Sequence, residues 1–221
     1  MKLRLGIFDS GVGGFSVLNA LLSTRTDVEI IYLADFARNP YGEKDSEEIR
    51  NIAIQISDWF KEKDIDGLLI ACNTTNACAL DLLQNNLKIP CFDLITSVSK
   101  KINSNSIGIL ATTATVKSSF YKKIITNRKP GIQVFQQSCP KFVSEIEKIP
   151  IDIEKINYLS DLYLRPLLKN NIKELILGCS HYPLIYEILR KKIASNIKII
   201  DPSIALTDSL NNYFRPLRKY N

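Results

Sequence analysis

Several things are scarce in this sequence, and each scarcity closes off a class of protein. No apolar stretch approaches the roughly 20 residues that a membrane-spanning helix needs; runs such as Leu68 to Cys72 are far shorter, so no membrane partner is expected. Met1-Lys2 leads only into Leu3 to Phe8 before Asp9 interrupts, too brief for a secretory signal, and a cytoplasmic location is expected. There is one histidine, His181, and no pair among the five cysteines has CxxC spacing. A structural zinc site usually takes four Cys/His ligands in short-spaced pairs, so no metal is expected. An odd number of cysteines without an export signal points to free thiols rather than a disulfide framework.

Clustered positive charge is also missing. The 29 Lys and Arg residues against 23 Asp and Glu leave a net charge of +6, but they are dispersed, and the tightest group is Arg215, Arg218 and Lys219. No stretch interleaves basic and aromatic residues in a recognised module, so nucleic acid is not expected as the main partner. The 221 residues, 45% hydrophobic and 24% charged, describe a globular protein of one large domain or two small ones.

The dominant pattern is an alternation of short β-type runs with amphipathic helical ones. Strands are predicted at Leu3–Phe8, Glu29–Leu33, Leu68–Ala71, Cys91–Leu94, Ile107–Leu110, Gln133–Gln136, Glu174–Leu177 and Lys198–Ile200. Most are continuous aliphatic runs, as expected for parallel strands covered on both faces. Between them, Ile49, Ile52, Ala53, Ile56, Trp59 and Phe60 recur at helical spacing within Ser46–Lys63, with Ser46 placed to cap that helix. The fold class is therefore α/β with parallel sheets.

An internal echo refines this. Gly6-Ile7-Phe8-Asp9-Ser10 resembles Gly108-Ile109-Leu110-Ala111-Thr112, and Leu68-Leu69-Ile70-Ala71-Cys72 resembles Leu175-Ile176-Leu177-Gly178-Cys179. Both pairs step by about half the chain, which points to a duplicated unit and two pseudo-symmetric parallel-sheet α/β domains. Cys72 and Cys179 then occupy equivalent strand ends, where open α/β sheets form ligand crevices. If the halves face each other, two thiols approach one ligand from opposite sides.

Each strand end carries polar residues. Asp9-Ser10-Gly11-Val12-Gly13-Gly14 lies between a strand and a helix starting near Phe15. It lacks the glycine pattern of a dinucleotide fingerprint and the Gly-Lys-Ser/Thr of a P-loop. A plain strand-to-helix turn accounts for the glycines; Asp9-Ser10 at the strand end favours a functional reading. Cys72-Asn73-Thr74 opens a helix ending near Leu87, and a helix N-terminus lowers a thiol's pKa and offers donors to a carboxylate. Cys179-Ser180-His181 leads into Pro183, which suits a first helical turn, and His181 is placed to shuttle a proton. Pro40-Tyr41-Gly42 reads as a tight turn exposing backbone N–H groups. Cys78 and Cys91 read as small buried hydrophobes.

Two thiols flanking one carbon suit inversion of a chiral centre. A thiolate removes a proton from one face while a thiol returns one to the other, and neither a metal nor an organic cofactor is required.

Asp9-Ser10-Gly11-Val12-Gly13-Gly14, Pro40-Tyr41-Gly42-Glu43-Lys44, Cys72-Asn73-Thr74 and Gly178-Cys179-Ser180-His181-Tyr182-Pro183-Leu184 together resemble the glutamate racemases of the cofactor-independent aspartate/glutamate racemase superfamily. The resemblance implies two similar domains, 1–96 (rejoined by 203–221) and 97–202, with the active site between them. It implies interconversion of L- and D-glutamate to supply D-glutamate for peptidoglycan, without a cofactor, by a possible homodimer. Cys72 would deprotonate the D-enantiomer and Cys179 the L-enantiomer. Asp9, Ser10, Tyr41, Gly42, Asn73, Thr74, Ser180 and His181 would bind substrate, and Asp9, His181 and Glu147 would assist proton transfer, with Glu145 the alternative to Glu147. Ser180 stands where the family usually has Thr, Ala34 and Phe36 replace the usual Gly and Thr, and the segment after Cys139-Pro140 is short. An aspartate racemase or other isomerase or lyase of the superfamily, a Cys179–His181 thiol hydrolase, and a non-catalytic amino-acid binder remain as alternatives.

Overall fold

The computed structural model describes residues 2–215, so Arg218 and Lys219 of the basic tail lie outside the described residues. Among the described residues eight strands form at the predicted runs: β1 (Leu3–Asp9), β2 (Val28–Ala34), β3 (Gly67–Ile70), β4 (Cys91–Asp93), β5 (Ser106–Ala111), β6 (Gln133–Ser138), β7 (Glu174–Gly178) and β8 (Lys198–Ile200). They build two four-stranded parallel sheets with the same strand order, β2-β1-β3-β4 and β6-β5-β7-β8.

Among the described residues ten α-helices connect and cover the strands: α1 (Phe15–Leu22), α2 (Ser46–Lys61), α3 (Asn73–Leu87), α4 (Leu94–Ser99), α5 (Thr113–Ser118), α6 (Phe120–Arg128), α7 (Phe142–Ile146), α8 (Ile153–Leu168), α9 (Tyr186–Lys192) and α10 (Pro202–Tyr213). Strands β3 and β7 are buried along their whole length because each sheet has helices on both faces. Leu68 and Ile70 point into a cluster with Ile49, Ile56 and Phe60 of α2 and Leu83 of α3. Leu69 and Ala71 point the other way, against Val17 and Leu21 of α1 and Leu206 and Leu210 of α10. In the second sheet Leu175 and Leu177 meet Phe142, Leu159 and Leu164, while Ile176 meets Ile95, Tyr121 and Ile125. Each such side chain removed from water contributes roughly 1.5–3 kcal/mol, so both halves hold real cores.

Local details differ from expectation. The residue capping α2 is Asp45, whose carboxylate accepts the Glu48 N–H at 2.7 Å; Ser46 is already in the first turn. Pro183 lies in a 3-10 turn, Tyr182–Ile185, that precedes α9 rather than in an α-helix. Cys78 and Cys91 are only half-buried, at the edges of the apolar clusters. Among the described residues no helix is long and apolar enough to cross a membrane.

The shared strand order decides where a site can form. From β1 the chain moves outward to β2, then crosses back to β3 on the other side of β1, and β5, β6 and β7 repeat this. The connections leaving β1 and β3 therefore diverge, opening a crevice at their carboxyl ends. Asp9-Ser10 and Cys72 sit at that point in the first sheet, Thr112 and Cys179 in the second.

Candidate active site

Cys72 and Cys179, only 3% and 5% exposed, line one nearly closed cavity with about 10 Å3 of free space between the two sheets' carboxyl ends. Ser10, Tyr41, Gly42, Asn73, Thr74, Ser180 and His181 line it with them. Several contacts cross from one half to the other, three of them at the cavity's rim. Ser180 Oγ donates to Asp9 Oδ1 at 3.0 Å, Thr74 Oγ1 lies 3.0 Å from Thr112 Oγ1, and Asn39 Nδ2 donates to Glu147 Oε2 at 2.6 Å. The first of these needs close approach at Gly13: a Cβ there would stand 2.3 Å from Ser180 Oγ and 2.6 Å from His181 Nδ1. That is the demand behind this part of the glycine-rich turn, which phosphate binding did not explain.

The two sulfurs have different neighbours. Cys72 precedes the first turn of α3 and donates to Ser10 Oγ at 3.6 Å. The helix start was expected to lower its pKa. Burial instead dominates, with the nearby Asp9 charge adding to it, and together they push the thiol up to about 12. Asp9 itself is pushed above the usual carboxylate range by burial, against the opposing pull of His181 and of backbone N–H groups including that of Gly11.

Cys179 Sγ lies 3.8 Å from His181 Nδ1, and His181 Nε2 lies 2.7 Å from Glu147 Oε1. Burial alone would lower the imidazole's pKa; the Cys179 and Glu147 contacts and the Asp9 charge outweigh it and raise it to about 10. Glu147 is held below its ordinary value, first by the His181 hydrogen bond and further by Asn39 and the Val12 N–H. The row sulfur–imidazole–carboxylate is thus assembled from Glu147; Glu145 turns away and pairs with Lys148 Nζ at 2.7 Å.

Tyr41 is buried, and its hydroxyl donates to Asp35, which Arg38 Nε also contacts at 2.5 Å. The hydroxyl is therefore committed to the fold, and Tyr41 faces the cavity by its other atoms. Asn73 Oδ1 accepts from Tyr121 at 2.7 Å, which leaves its amide nitrogen buried and without a partner at the cavity wall. The sequence reading left four lining residues out of the site, Asn39, Pro40, Thr112 and Val143. Thr112 was legible, because the internal echo aligns it with Ser10. Val143 carried no signal beyond its apolar periodicity. Among the described residues no group of three or more His, Cys, Asp and Glu side chains could hold a metal ion.

Twin parallel sheets that share a cavity with a thiol on each side define a racemase-type α/β enzyme framework, and comparison with known proteins gives it a family. The family described as Asp/Glu/Hydantoin racemase matches residues 10–210. A glutamate racemase from Prochlorococcus marinus (strain NATL1A) is 50% identical over 208 residues, covering 94% of this chain and 78% of that protein. One from Synechococcus sp. (strain CC9605) is 37% identical over 211 residues, covering 96% and 80%. The crystal structure of glutamate racemase from Francisella tularensis in complex with D-glutamate superposes with a TM-score of 0.91 at 35% identity, covering 100% of this chain and 85% of that one. The chain belongs to the Asp/Glu/hydantoin racemase family and, within it, groups with the glutamate racemases.

Proposed function

We propose that this isomerase interconverts L- and D-glutamate by two-base proton transfer between Cys179 and Cys72. The observation that carries the reading is that both strand-end thiols line one buried cavity. With L-glutamate bound, the Cys179 thiolate takes the proton from Cα and the C–H electron pair stays on the substrate, delocalised into its carboxylate. The Cys72 thiol then donates its proton to the opposite face, leaving Cys72 as thiolate and Cys179 as thiol. D-glutamate follows the same steps in reverse. His181 stands 3.8 Å from the Cys179 sulfur as its proton-carrying neighbour, and Glu147 holds that imidazole in its charged form. Asp9 serves the Cys72 side.

The substrate carboxylate is bound at the start of α3, where the Asn73 and Thr74 N–H groups and the free Asn73 amide nitrogen supply donors. Ser10, Tyr41, Gly42, Ser180 and His181 complete the binding wall. Because the cavity is so enclosed, entry requires the two proposed domains to part. The biological role proposed is supply of D-glutamate for peptidoglycan in the cytoplasm, and the assembly a homodimer, both resting on the family resemblance.

The test follows L-glutamate with purified protein in deuterated buffer. The expected result is loss of optical rotation with deuterium entering Cα. Turnover without deuterium overturns the mechanism, and faster turnover of L-aspartate overturns the substrate.

A further inference from the structure

Three donors converge on Glu147, and only one of them belongs to the second half. His181 Nε2 sits 2.7 Å from Oε1, the Val12 N–H reaches the carboxylate from the turn after β1, and Asn39 Nδ2 reaches Oε2 at 2.6 Å. Asn39 lies 108 positions away in sequence, on the loop after β2. Its amide orientation is fixed by chemistry, since the reverse would set a carbonyl oxygen against a carboxylate. Gly11 leaves room for this contact: a Cβ there would stand 2.7 Å from Glu147 Oε1 and 3.1 Å from Asn39 Nδ2. The Asn39 carbonyl oxygen is buried and has no hydrogen-bond partner. An amide serving the fold alone would satisfy both ends; this one spends its donor on Glu147 and leaves its acceptor unmet at the cavity wall.

We propose that Asn39 is a positioning residue: reaching across from the first half, its side-chain amide fixes the Glu147 carboxylate in line with His181 and so tunes the proton relay that serves Cys179. This rests on the two-base reading of the site. Asn39 acts only when the halves are together, so the relay is completed by closure. The titratable groups facing His181 are Cys179 on its own segment, Glu147 at the end of α7, and Asp9 at the end of β1. Removing the Asn39 donor frees the carboxylate to turn away from the imidazole and leaves the other two in place.

Two readouts test this, and one of them is independent of catalysis. His181 is the only histidine, so its imidazole resonances titrate without overlap in an NMR experiment on the full chain. In Asn39→Leu the His181 midpoint is expected to fall by about one unit, the scale of losing one charge-assisted contact. Racemisation kcat/KM is expected to drop about tenfold, with its alkaline limb moving to lower pH by the same interval. In a Glu147→Gln background Asn39→Leu should change kcat/KM by less than about twofold, because the coupled partner is already altered. Asn39→Ala, a plain truncation, carries the same comparison if the leucine variant does not fold. An unmoved His181 midpoint, or losses that multiply in the double variant, overturns the proposal while leaving the racemase reading intact. A shifted midpoint in a wild-type protein that exchanges no Cα proton keeps the positioning role and removes the racemase reading.

Discussion

The two halves repeat one strand order, yet they surround their thiols with opposite chemistry. At the end of β3, Cys72 is buried beside Asp9, an anion when ionised, and its thiol is pushed up to about 12. At the end of β7, Cys179 lies 3.8 Å from an imidazole raised to about 10 and backed by Glu147. The echo aligns Thr74 with His181 and Ala111 with Asp9, so the halves differ in which position received the ionisable group. A duplicated scaffold supplies two sulfurs and gives them unequal neighbours, an imidazole beside Cys179 and the Asp9 carboxyl beside Cys72. The proposed two-base cycle has one sulfur ionised and the other protonated in each direction, with the roles exchanged between L- and D-glutamate.

The largest expected effects come from deleting one side of the comparison. Cys72→Ser and Cys179→Ser should each lower racemisation by about 10²–10⁴-fold, the usual contribution of a positioned acid or base. They should differ in proton exchange. Cys72→Ser is expected to keep exchanging the Cα proton of L-glutamate with solvent, since Cys179 retains its imidazole. Cys179→Ser should exchange the D-enantiomer more slowly, because the remaining thiol faces Asp9. NMR loss of the Cα proton signal in deuterated buffer measures both, and equal residual rates would break the asymmetry argument.

Smaller and subtler is the effect of His181→Asn. Enantiomers have equal free energies, so kcat/KM must fall by the same factor in both directions even though only one thiol loses its partner. The asymmetry can therefore appear only in kcat and KM separately, and parallel changes in both directions would argue against it. Stability adds a second check. An imidazole raised from 6.5 to about 10 contributes stability that is fully present below pH 6.5 and is gone once the pH rises through about 10. Wild-type protein should lose on the order of a few kcal/mol between pH 6.5 and 10 that His181→Asn does not lose, measured by urea unfolding at each pH.

Much of this was legible in the sequence. The eight strands fall at the predicted runs, most plainly β3 and β7, because strands buried on both faces have little choice of composition, and the Leu68–Cys72 and Leu175–Cys179 echo pointed to matching strand ends. Electrostatics was not legible. Reading Cys72 as a helix-start thiol gave the wrong direction of shift, since burial depth and the approach of Asp9 are tertiary facts. Asn39 was invisible for a related reason: it lies outside any periodic pattern, and its meaning comes from a carboxylate 108 positions further on. Nor could residue type separate Glu145 from Glu147. The end of α7 does that, turning Glu147 toward His181 and leaving Glu145 to Lys148.

The smallest expected effect tests the repeat itself. The helices that cross from the second to the third strand of each half, α2 and α8, are both 16 residues long, and each begins with an aspartate cap. Asp45 accepts the Glu48 N–H at 2.7 Å and Asp152 the Lys155 N–H at 2.9 Å. Removing such a cap leaves one N–H of the first turn without its partner and typically costs about 1 kcal/mol. Asp45→Ala and Asp152→Ala should each lower unfolding free energy by about that amount while leaving racemisation unchanged, and Ser46→Ala should alter neither quantity. Neither cap lines the cavity, which is why activity should stay silent: the crossover helices hold the cores, and the divergent strand ends hold the chemistry. A loss of activity in Asp45→Ala alone would mean that the Pro40-Tyr41-Gly42 segment, only a few residues before this cap, depends on the helix start for its position.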